Sequence, residues 1–173
     1  MSEILEILKY ILPSGVVFAA AYVLVKSFLE ADTKRKMVDI KVANARLITP
    51  IRMQAYERVI LLLERISPVN LIMRTTGQLT LASEYQALLL QTIRDEFDHN
   101  LSQQLYISDL GWDKVLNAKE ETIKLINTSA AKLSGEANST HLASKILELS
   151  FEYNKMPIDE ALTFVKEEFR KKY

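Results

Sequence analysis

The N-terminal part of the chain contains a long apolar stretch. From residue 10 to residue 25 the chain carries no charged side chain, and Lys9 and Lys26 close this segment at its two ends. These lysines lie 17 positions apart, about 25 Å along a helix, so both ammonium groups can reach the headgroup regions of a bilayer. A helix of roughly 20 mainly apolar residues spans the hydrocarbon core of a membrane. We therefore predict a transmembrane anchor over residues 1–31.

The predicted anchor has the side chains that membrane helices place against lipid. Aliphatic residues favour the hydrocarbon core and tyrosine rings favour its interfaces, while Pro13 and Gly15 are tolerated in transmembrane helices. The residues expected to contact lipid are Tyr10, Val16, Val17, Phe18, Tyr22, Val23, Leu24 and Val25.

Two other interpretations of this stretch stay open. A cleaved signal peptide begins with a basic region, whereas Met1–Glu6 contains two acids and no base. A buried core helix is the second alternative, because the charge-free segment is short for a membrane span.

Basic residues follow the predicted anchor and indicate its orientation. Lys34, Arg35 and Lys36 lie just after it, whereas Lys9 is the single base before the charge-free segment. Because lysine and arginine remain on the cytoplasmic side, we expect the N-terminus outside and the rest of the chain in the cytoplasm. The same three residues can also contact anionic lipid headgroups. No glycine or proline interrupts residues 32–48, which we predict to form a juxtamembrane stalk helix.

The remainder of the chain, residues 49–173, has apolar positions at helical spacing and no segment that alternates as a strand does. The pairs Thr49–Pro50 and Ser67–Pro68 each fit an N-cap followed by a first helical residue. They predict helices over 50–66 and 68–75. The chain is thus predicted to be all-α, with an N-terminal transmembrane helix followed by a cytoplasmic helical bundle of about five helices.

Four more helices complete the predicted bundle. Thr80 is expected to cap a helix that ends near Tyr106. Ser108 or Asp109 is expected to cap the next helix, and Gly135 is expected to end that helix as a C′ residue. A helix starting at Asn138, Ser139 or Thr140 and one starting at Pro157 follow. The expected inward-facing residues are Leu81, Tyr85, Leu88, Leu89, Ile93, Phe97, Leu101, Leu105, Trp112, Val115, Leu116, Ile123, Ile126, Ala130, Leu133, Leu142, Ile146, Leu149, Tyr153, Ile158, Leu162, Val165 and Phe169.

Composition excludes several classes of protein. The chain has no cysteine among its 173 residues, which excludes disulfide scaffolds, thiolate nucleophiles and cysteine metal sites. Its 22 basic and 22 acidic side chains balance, so it lacks the basic field of a general nucleic-acid binder. No phosphate-binding loop, dinucleotide-binding motif or metalloprotease motif is present, and no cofactor is expected.

The densest polar cluster holds one candidate for chemistry. Glu96 and His99 are spaced i, i+3 and share a helix face, so they could ligate one metal ion or act as an acid/base pair. A di-iron bundle needs the same spacing on a second helix, but the residue three before His141 is Asn138. The alternative is that this cluster is helix surface, in which Arg94 and Asp98 form an i, i+4 ion pair.

Uncharged polar residues beside the same cluster are candidates for contact with a partner. Glutamines 103 and 104 have no local role in the helical pattern, and their side chains can both donate and accept hydrogen bonds across an interface. A polar network within the bundle is the alternative. The candidate partner-binding residues are Arg94, Asp98, Asn100, Gln103, Gln104 and Tyr106.

Two segments resemble an uncharacterised family of small, single-pass, helical membrane-anchored proteins of the Bacteroidota. They read MQAYERVILLLERISPVNLIMR at 53–74 and DEFDHNLSQQLYISDLGWDKVLNAKEE at 95–121. The family is similar in its N-terminal span, its YERxxLxLERIxP stretch and its E(F/Y)(D/E)HNxSQQxY(V/I)S stretch. The resemblance implies a bacterial inner-membrane location, and it implies no activity, cofactor or catalytic residue.

Without a catalytic motif, the sequence favours a binding role. We expect a non-catalytic accessory or adaptor subunit of an inner-membrane protein complex, whose partners are the bilayer and a membrane protein complex. Two alternatives stay open: a membrane-anchored enzyme or metal-binding protein that uses Glu96 and His99, and a scaffold that self-assembles into a homo-oligomer through residues 37–45 of the stalk.

Overall fold

Helices make up the regular structure of the chain. The computed structural model describes residues 2–75 and 81–172, except for the side chains of residues 2–8 and 10–12. Within these ranges there is no strand, and one isolated β-bridge pairs Leu81 with Asn138. The elements are α1 (Ser2–Ile66), α2 (Pro68–Thr75), α3 (Ala82–Asn100), a 3-10 helix (Leu101–Leu105), α4 (Asp109–Ala131), α5 (Ser139–Phe151) and α6 (Pro157–Lys172). The all-α fold class predicted from the sequence is confirmed.

Helix α1 passes through Pro50 without ending, so the predicted helix start at Thr49–Pro50 is wrong. A proline inside a helix removes one backbone hydrogen bond and crowds the carbonyl four residues earlier. Here the helix nevertheless continues on both sides of Pro50. By contrast, the second predicted start is confirmed: α2 begins at Pro68, and the Leu71 N–H donates to the Ser67 carbonyl at 2.8 Å.

The contacts divide the chain into two units, Met1–Thr49 and Pro50–Tyr173. In the first unit the described apolar side chains are exposed: those between Val16 and Leu29 have exposed fractions of 57 to 74%. By length and composition, α1 is the one helix of the described chain that could cross a membrane.

The second unit is a helical bundle with one core. Helix α4 packs on α3, α5 and α6, and α2 packs on α3 and α5. The last turns of α1 contribute Val59, Leu63 and Ile66 to this core. Trp112 is buried, as predicted, and its ring lies 5.6 Å from that of Phe97.

Side-chain caps fix two of the helix starts. The Gly111 N–H donates to Ser108 Oγ at 3.1 Å, which confirms Ser108 as the cap of α4. Asn138 caps α5 by accepting from the His141 N–H at 2.9 Å. His141 in turn accepts from the Asn138 N–H, so the two residues form a capping box.

Three predicted helix ends are wrong. Helix α3 ends at Asn100 rather than near Tyr106, because a 3-10 helix replaces the last predicted turn. Helix α4 ends at Ala131 and its C-cap is Lys132, so Gly135 is not its C′ residue. Helix α5 ends at Phe151, which leaves Tyr153 beyond it. Thr80, which was expected to cap α3, lies outside the described residues.

Candidate functional site

A groove runs between the last turns of α1 and helix α3, and it contains the two residues that the sequence singled out for chemistry. We call it the α1–α3 groove; its volume is about 580 Å³. It is lined by Arg58, Leu61, Leu62, Arg65, Thr92, Asp95, Glu96, His99 and Asn100.

Glu96 is held in this groove by two arginines from other helices. Arg65 of α1 lies 3.1 Å from Glu96 Oε2, and Arg74 of α2 lies 2.9 Å from Oε1. Burial raises the pKa of Glu96, but hydrogen bonds from Arg74 and Arg65 outweigh burial and lower the pKa below its ordinary value. A carboxylate held ionised by two guanidinium groups is a poor proton acceptor, since both its oxygens are already hydrogen-bonded. The geometry therefore favours a structural role for Glu96.

His99 lies in the same groove but is oriented by its own helix. Its Nδ1 lies 2.7 Å from the Asp95 carbonyl oxygen. Because a carbonyl only accepts, Nδ1 carries the proton of this hydrogen bond. Within the described residues, no group of three or more histidine, aspartate or glutamate side chains is placed to hold a metal ion. The sequence thus brings Glu96 and His99 to one groove without assembling a metal-ligand set around them.

The candidate partner-binding residues differ in how exposed their side chains are. Arg94 and Asp98 are exposed, but in the described part of the chain they do not form the predicted ion pair. Asn100 is half-buried and donates to the Glu96 carbonyl at 2.8 Å. Gln104 is exposed, and Tyr106 is half-buried.

Gln103 is turned into the bundle. Its exposed fraction is 7%, and its Nε2 donates to Ser102 Oγ at 3.1 Å. Gln103 is therefore not part of the accessible surface on which the other candidates lie. The other five candidates keep some exposure.

Three leucines around the 3-10 helix are exposed instead. We call Leu101, Leu105 and Leu110 the leucine corner; their exposed fractions are 42%, 79% and 59%. The predictions that Leu101 and Leu105 face the core are therefore wrong. A 3-10 helix advances about 120° per residue and an α-helix about 100°, so the α-helical stripe loses its phase after Asn100. The residues that point inward are now Gln103 and Ile107.

A hydrogen-bond network anchors the start of α4 beside this corner. Glu168 of α6 accepts from Ser108 Oγ at 2.6 Å, from the Ser108 N–H at 3.2 Å and from Tyr56 Oη at 2.6 Å. Lys172 also donates to this carboxylate. Burial raises the pKa of Glu168, but hydrogen bonds from Lys172, Ser108 and Tyr56 lower the pKa overall, to about 2.

No local pattern indicated this network, because its members lie far apart in the chain. Glu168 is 60 residues from Ser108 and 112 from Tyr56. Each residue by itself is ordinary: a cap, an interior tyrosine, and an acid in an amphipathic helix. Leu110 was missed as well, since one apolar residue in the first turn of a helix carries no signal of exposure.

The anchor candidates lie in the first unit. The apolar members, from Val16 to Val25, and the ring of Tyr22 are exposed, whereas the side chain of Tyr10 lies outside the described residues. Lys34 and Arg35 are exposed, and Lys36 forms an i, i+4 ion pair with Asp32 at 2.8 Å. All the described members therefore have accessible surface for lipid.

A comparison with known protein families gives a match over nearly the whole chain. A family model described as "Family of unknown function (DUF7935)" matches residues 2–172. No curated protein and no solved structure matches the chain.

Proposed function

We propose that this chain, which belongs to the DUF7935 family of unknown function, is a single-pass inner-membrane adaptor or accessory subunit that binds protein through its helical bundle. The observation that carries the proposal is the pairing of an exposed apolar helix with a folded bundle that displays an apolar corner. The N-terminus lies outside the membrane and the bundle lies in the cytoplasm. The resemblance to Bacteroidota proteins supports the inner-membrane location.

The anchor is supported by exposed apolar surface. Residues 11–25 include eight Ile, Leu, Val and Phe side chains, which together contribute about −2 to −5 kcal/mol to insertion at the centre of a span. In water the same side chains would leave an apolar patch far larger than monomeric proteins tolerate. The basic residues Lys34, Arg35 and Lys36 support the proposed orientation.

The binding role is supported by what the bundle displays. Its best candidate for acid/base chemistry, Glu96, is neutralised by Arg65 and Arg74. Its surface displays the leucine corner, and exposed apolar residues rimmed by polar ones are typical of protein-binding sites. Tethering to the bilayer raises the effective concentration of the bundle near a membrane partner.

The proposed placement can be tested by cysteine labelling, because the native chain has no cysteine. We expect Ser2→Cys to react with a membrane-impermeant maleimide in spheroplasts, and Ser134→Cys to react only after lysis. The chain should stay in the membrane fraction after a carbonate wash. Labelling of Ser134→Cys in intact spheroplasts would overturn the orientation, and release by carbonate would overturn the anchor.

The proposed binding role can be tested by purification from native membranes in a mild detergent. We expect a partner protein to co-purify at constant stoichiometry and to be lost when Leu105 and Leu110 are both changed to alanine. Changing Met73 and Phe151, which are 74% and 80% exposed, to alanine is the control. A chain that purifies alone would contradict the adaptor role.

Self-assembly through the stalk is a second candidate, favoured by one observation. Met37, Val38 and Ile40 of the stalk are exposed apolar residues beyond the predicted span. A homo-oligomer would cover them against a second copy. Oxidative cross-linking of an Ile40→Cys chain to a second copy in native membranes would support self-assembly. If no cross-link forms, self-assembly through the stalk is contradicted and the adaptor role is the remaining candidate.

A further inference from the structure

We infer that the stalk pairs with the stalk of a second copy of this chain as a parallel, in-register, two-stranded coiled coil. The contact surface is formed by Met37, Ile40, Asn44 and Leu47, which we call the stalk seam. The inference rests on the proposed membrane anchor and deepens the second candidate function, because it names the residues, the direction and the register of self-assembly.

The seam residues lie on one face of helix α1. They are separated by three, four and three positions, which is the a and d pattern of a heptad repeat. At about 100° per residue, the four side chains fall within an arc of about 80° and cover about 15 Å of the helix axis. Because α1 is an α-helix throughout this segment, it presents them as one continuous surface.

This surface is open to a partner. The exposed fractions of Met37, Ile40 and Leu47 are 55%, 59% and 70%, and Asn44 is exposed as well. The described part of the first unit contains only α1, so it offers no second element that could cover the seam. Since a helix outside a membrane is stabilised mainly by packing of its apolar face, the seam favours association.

Asn44 indicates what the partner is. Its side chain makes no hydrogen bond within the part of the chain that the structure describes, and an amide enclosed among apolar residues needs a hydrogen-bond partner. In a parallel pair, asparagines at the same a position lie opposite each other, which fixes the register and the number of strands. Two anchored copies leave the membrane on the same side, so their stalks run in parallel. A second copy therefore matches both the apolar residues and the amide.

The charges of the stalk oppose pairing and limit its strength. The stalk carries five basic and two acidic side chains, and Lys36 at a g position would face Lys41 at the e position of the second copy. Lys36 is already paired with Asp32 at 2.8 Å, and one heptad later the same flanking positions hold the apolar Ala43 and Ile48.

A seam this short, flanked by like charges, depends on the membrane. Anchoring both copies in one bilayer raises their effective concentration, and anionic headgroups offset the basic residues next to the predicted span. Dilution into detergent micelles removes both effects. We therefore expect pairing in native membranes and separation of the two copies after release into detergent.

Single cysteines in the full chain test the seam, because the native chain has none. Ile40→Cys and Leu47→Cys place a thiol on the seam, whereas Val38→Cys and Val42→Cys place it about 140° to 180° away. Val38 is 58% exposed and Ile40 is 59% exposed, so these two positions are matched in accessibility. After oxidation with copper phenanthroline in native membranes, we expect at least fivefold more covalent dimer from the seam variants than from the controls.

A charge variant tests the direction and the register. In a parallel, in-register pair, Lys41→Glu places a carboxylate opposite Lys36 of the second copy and replaces a repulsion by an attraction. We expect this change to raise the dimer yield of the Leu47→Cys chain at least threefold. Arg35→Glu makes the same change of charge on the opposite side of the helix and should alter the yield less than twofold.

The outcomes separate this inference from the proposed functions. Equal dimer yields at all four cysteine positions, or an unchanged yield with Lys41→Glu, would overturn the seam, although self-assembly as such would stand. Covalent species larger than a dimer from a chain with both Ile40→Cys and Leu47→Cys would overturn the two-stranded pair. If no position cross-links, the inference and the self-assembly candidate both fail, and co-purification of a different protein still decides the adaptor role.

Discussion

Replacing Glu168 by glutamine tests how the bundle holds its helices together. The carboxylate accepts hydrogen bonds from Tyr56 of α1, from Ser108 at the start of α4 and from Lys172 of its own helix. Glutamine keeps the shape but removes the charge, and its amide group would face donors rather than acceptors. We therefore expect the variant to fold with a lower free energy of unfolding.

The expected loss can be worked from the pKa. The pKa of Glu168 falls from 4.5 to about 2 on folding, and each unit corresponds to about 1.4 kcal/mol. If the whole decrease in pKa stabilised the folded chain, it would contribute about 3.5 kcal/mol. The Glu168 side chain is only 11% exposed, but its partner Lys172 is 43% exposed, so solvent screens part of this interaction. We expect a loss of about 2 to 3 kcal/mol at pH 7.

The dependence on pH gives an independent check. A carboxylate whose pKa is lowered by folding stabilises the folded chain above pH 4.5, and this contribution is lost as the pH falls toward 2. Between pH 6 and pH 3.5 the wild-type chain should lose about 1 kcal/mol relative to Glu168→Gln, because the unfolded chain takes up the proton first. The difference between the two chains should therefore shrink on acidification.

Urea unfolding of the full chain in detergent micelles, followed by fluorescence, measures both quantities. Trp112 is the single tryptophan, and it is buried against Phe97 close to Ser108. Glu167→Gln is the matched control, since Glu167 neighbours Glu168 but is exposed. Equal stabilities of wild-type and Glu168→Gln chains, or a difference that grows on acidification, would refute the reasoning.

Three further predictions follow from the described contacts. Gly111→Ala should lower the free energy of unfolding by about 1 to 3 kcal/mol, because the new Cβ would lie 2.8 Å from Glu168 Oε2 and 2.9 Å from Ile107 Cγ2. Gly135 has open space around it, so Gly135→Ala should leave the free energy of unfolding unchanged in the same urea assay. Glu96→Gln should cost about 1 kcal/mol or less, since Arg65 and Arg74 are 53% and 44% exposed; a loss above about 2 kcal/mol would contradict this. Ala20→Arg should move the chain out of the carbonate-resistant fraction, because arginine at the centre of a span costs about 2.5 to 3.5 kcal/mol, whereas Ala43→Arg in the stalk should not.

Local chemistry was enough to predict most helix starts. A proline at the first helical position and a side chain that can accept from backbone N–H groups act within one turn, so Pro68, Ser108, Asn138 and Pro157 marked their helices correctly. The inward positions of α6 followed from spacing alone, as Ile158, Leu162 and Val165 are all buried.

The candidate surface could not be predicted in the same way. The spacing of apolar residues does not reveal that the α-helix gives way to a 3-10 helix after Asn100. The change to a 3-10 helix then turns Gln103 inward and Leu105 outward. At Pro50 the local rule failed, since α1 runs through this proline instead of starting at it.

Native mass spectrometry of the full chain, released from its own membranes in gentle detergent micelles, tests the central claim most directly. The adaptor role predicts a species whose mass is the 19.8 kDa of this chain plus that of at least one different protein at fixed stoichiometry. The Leu105→Ala, Leu110→Ala chain should yield the free monomer. A wild-type chain that appears only as the 19.8 kDa monomer would contradict the claim.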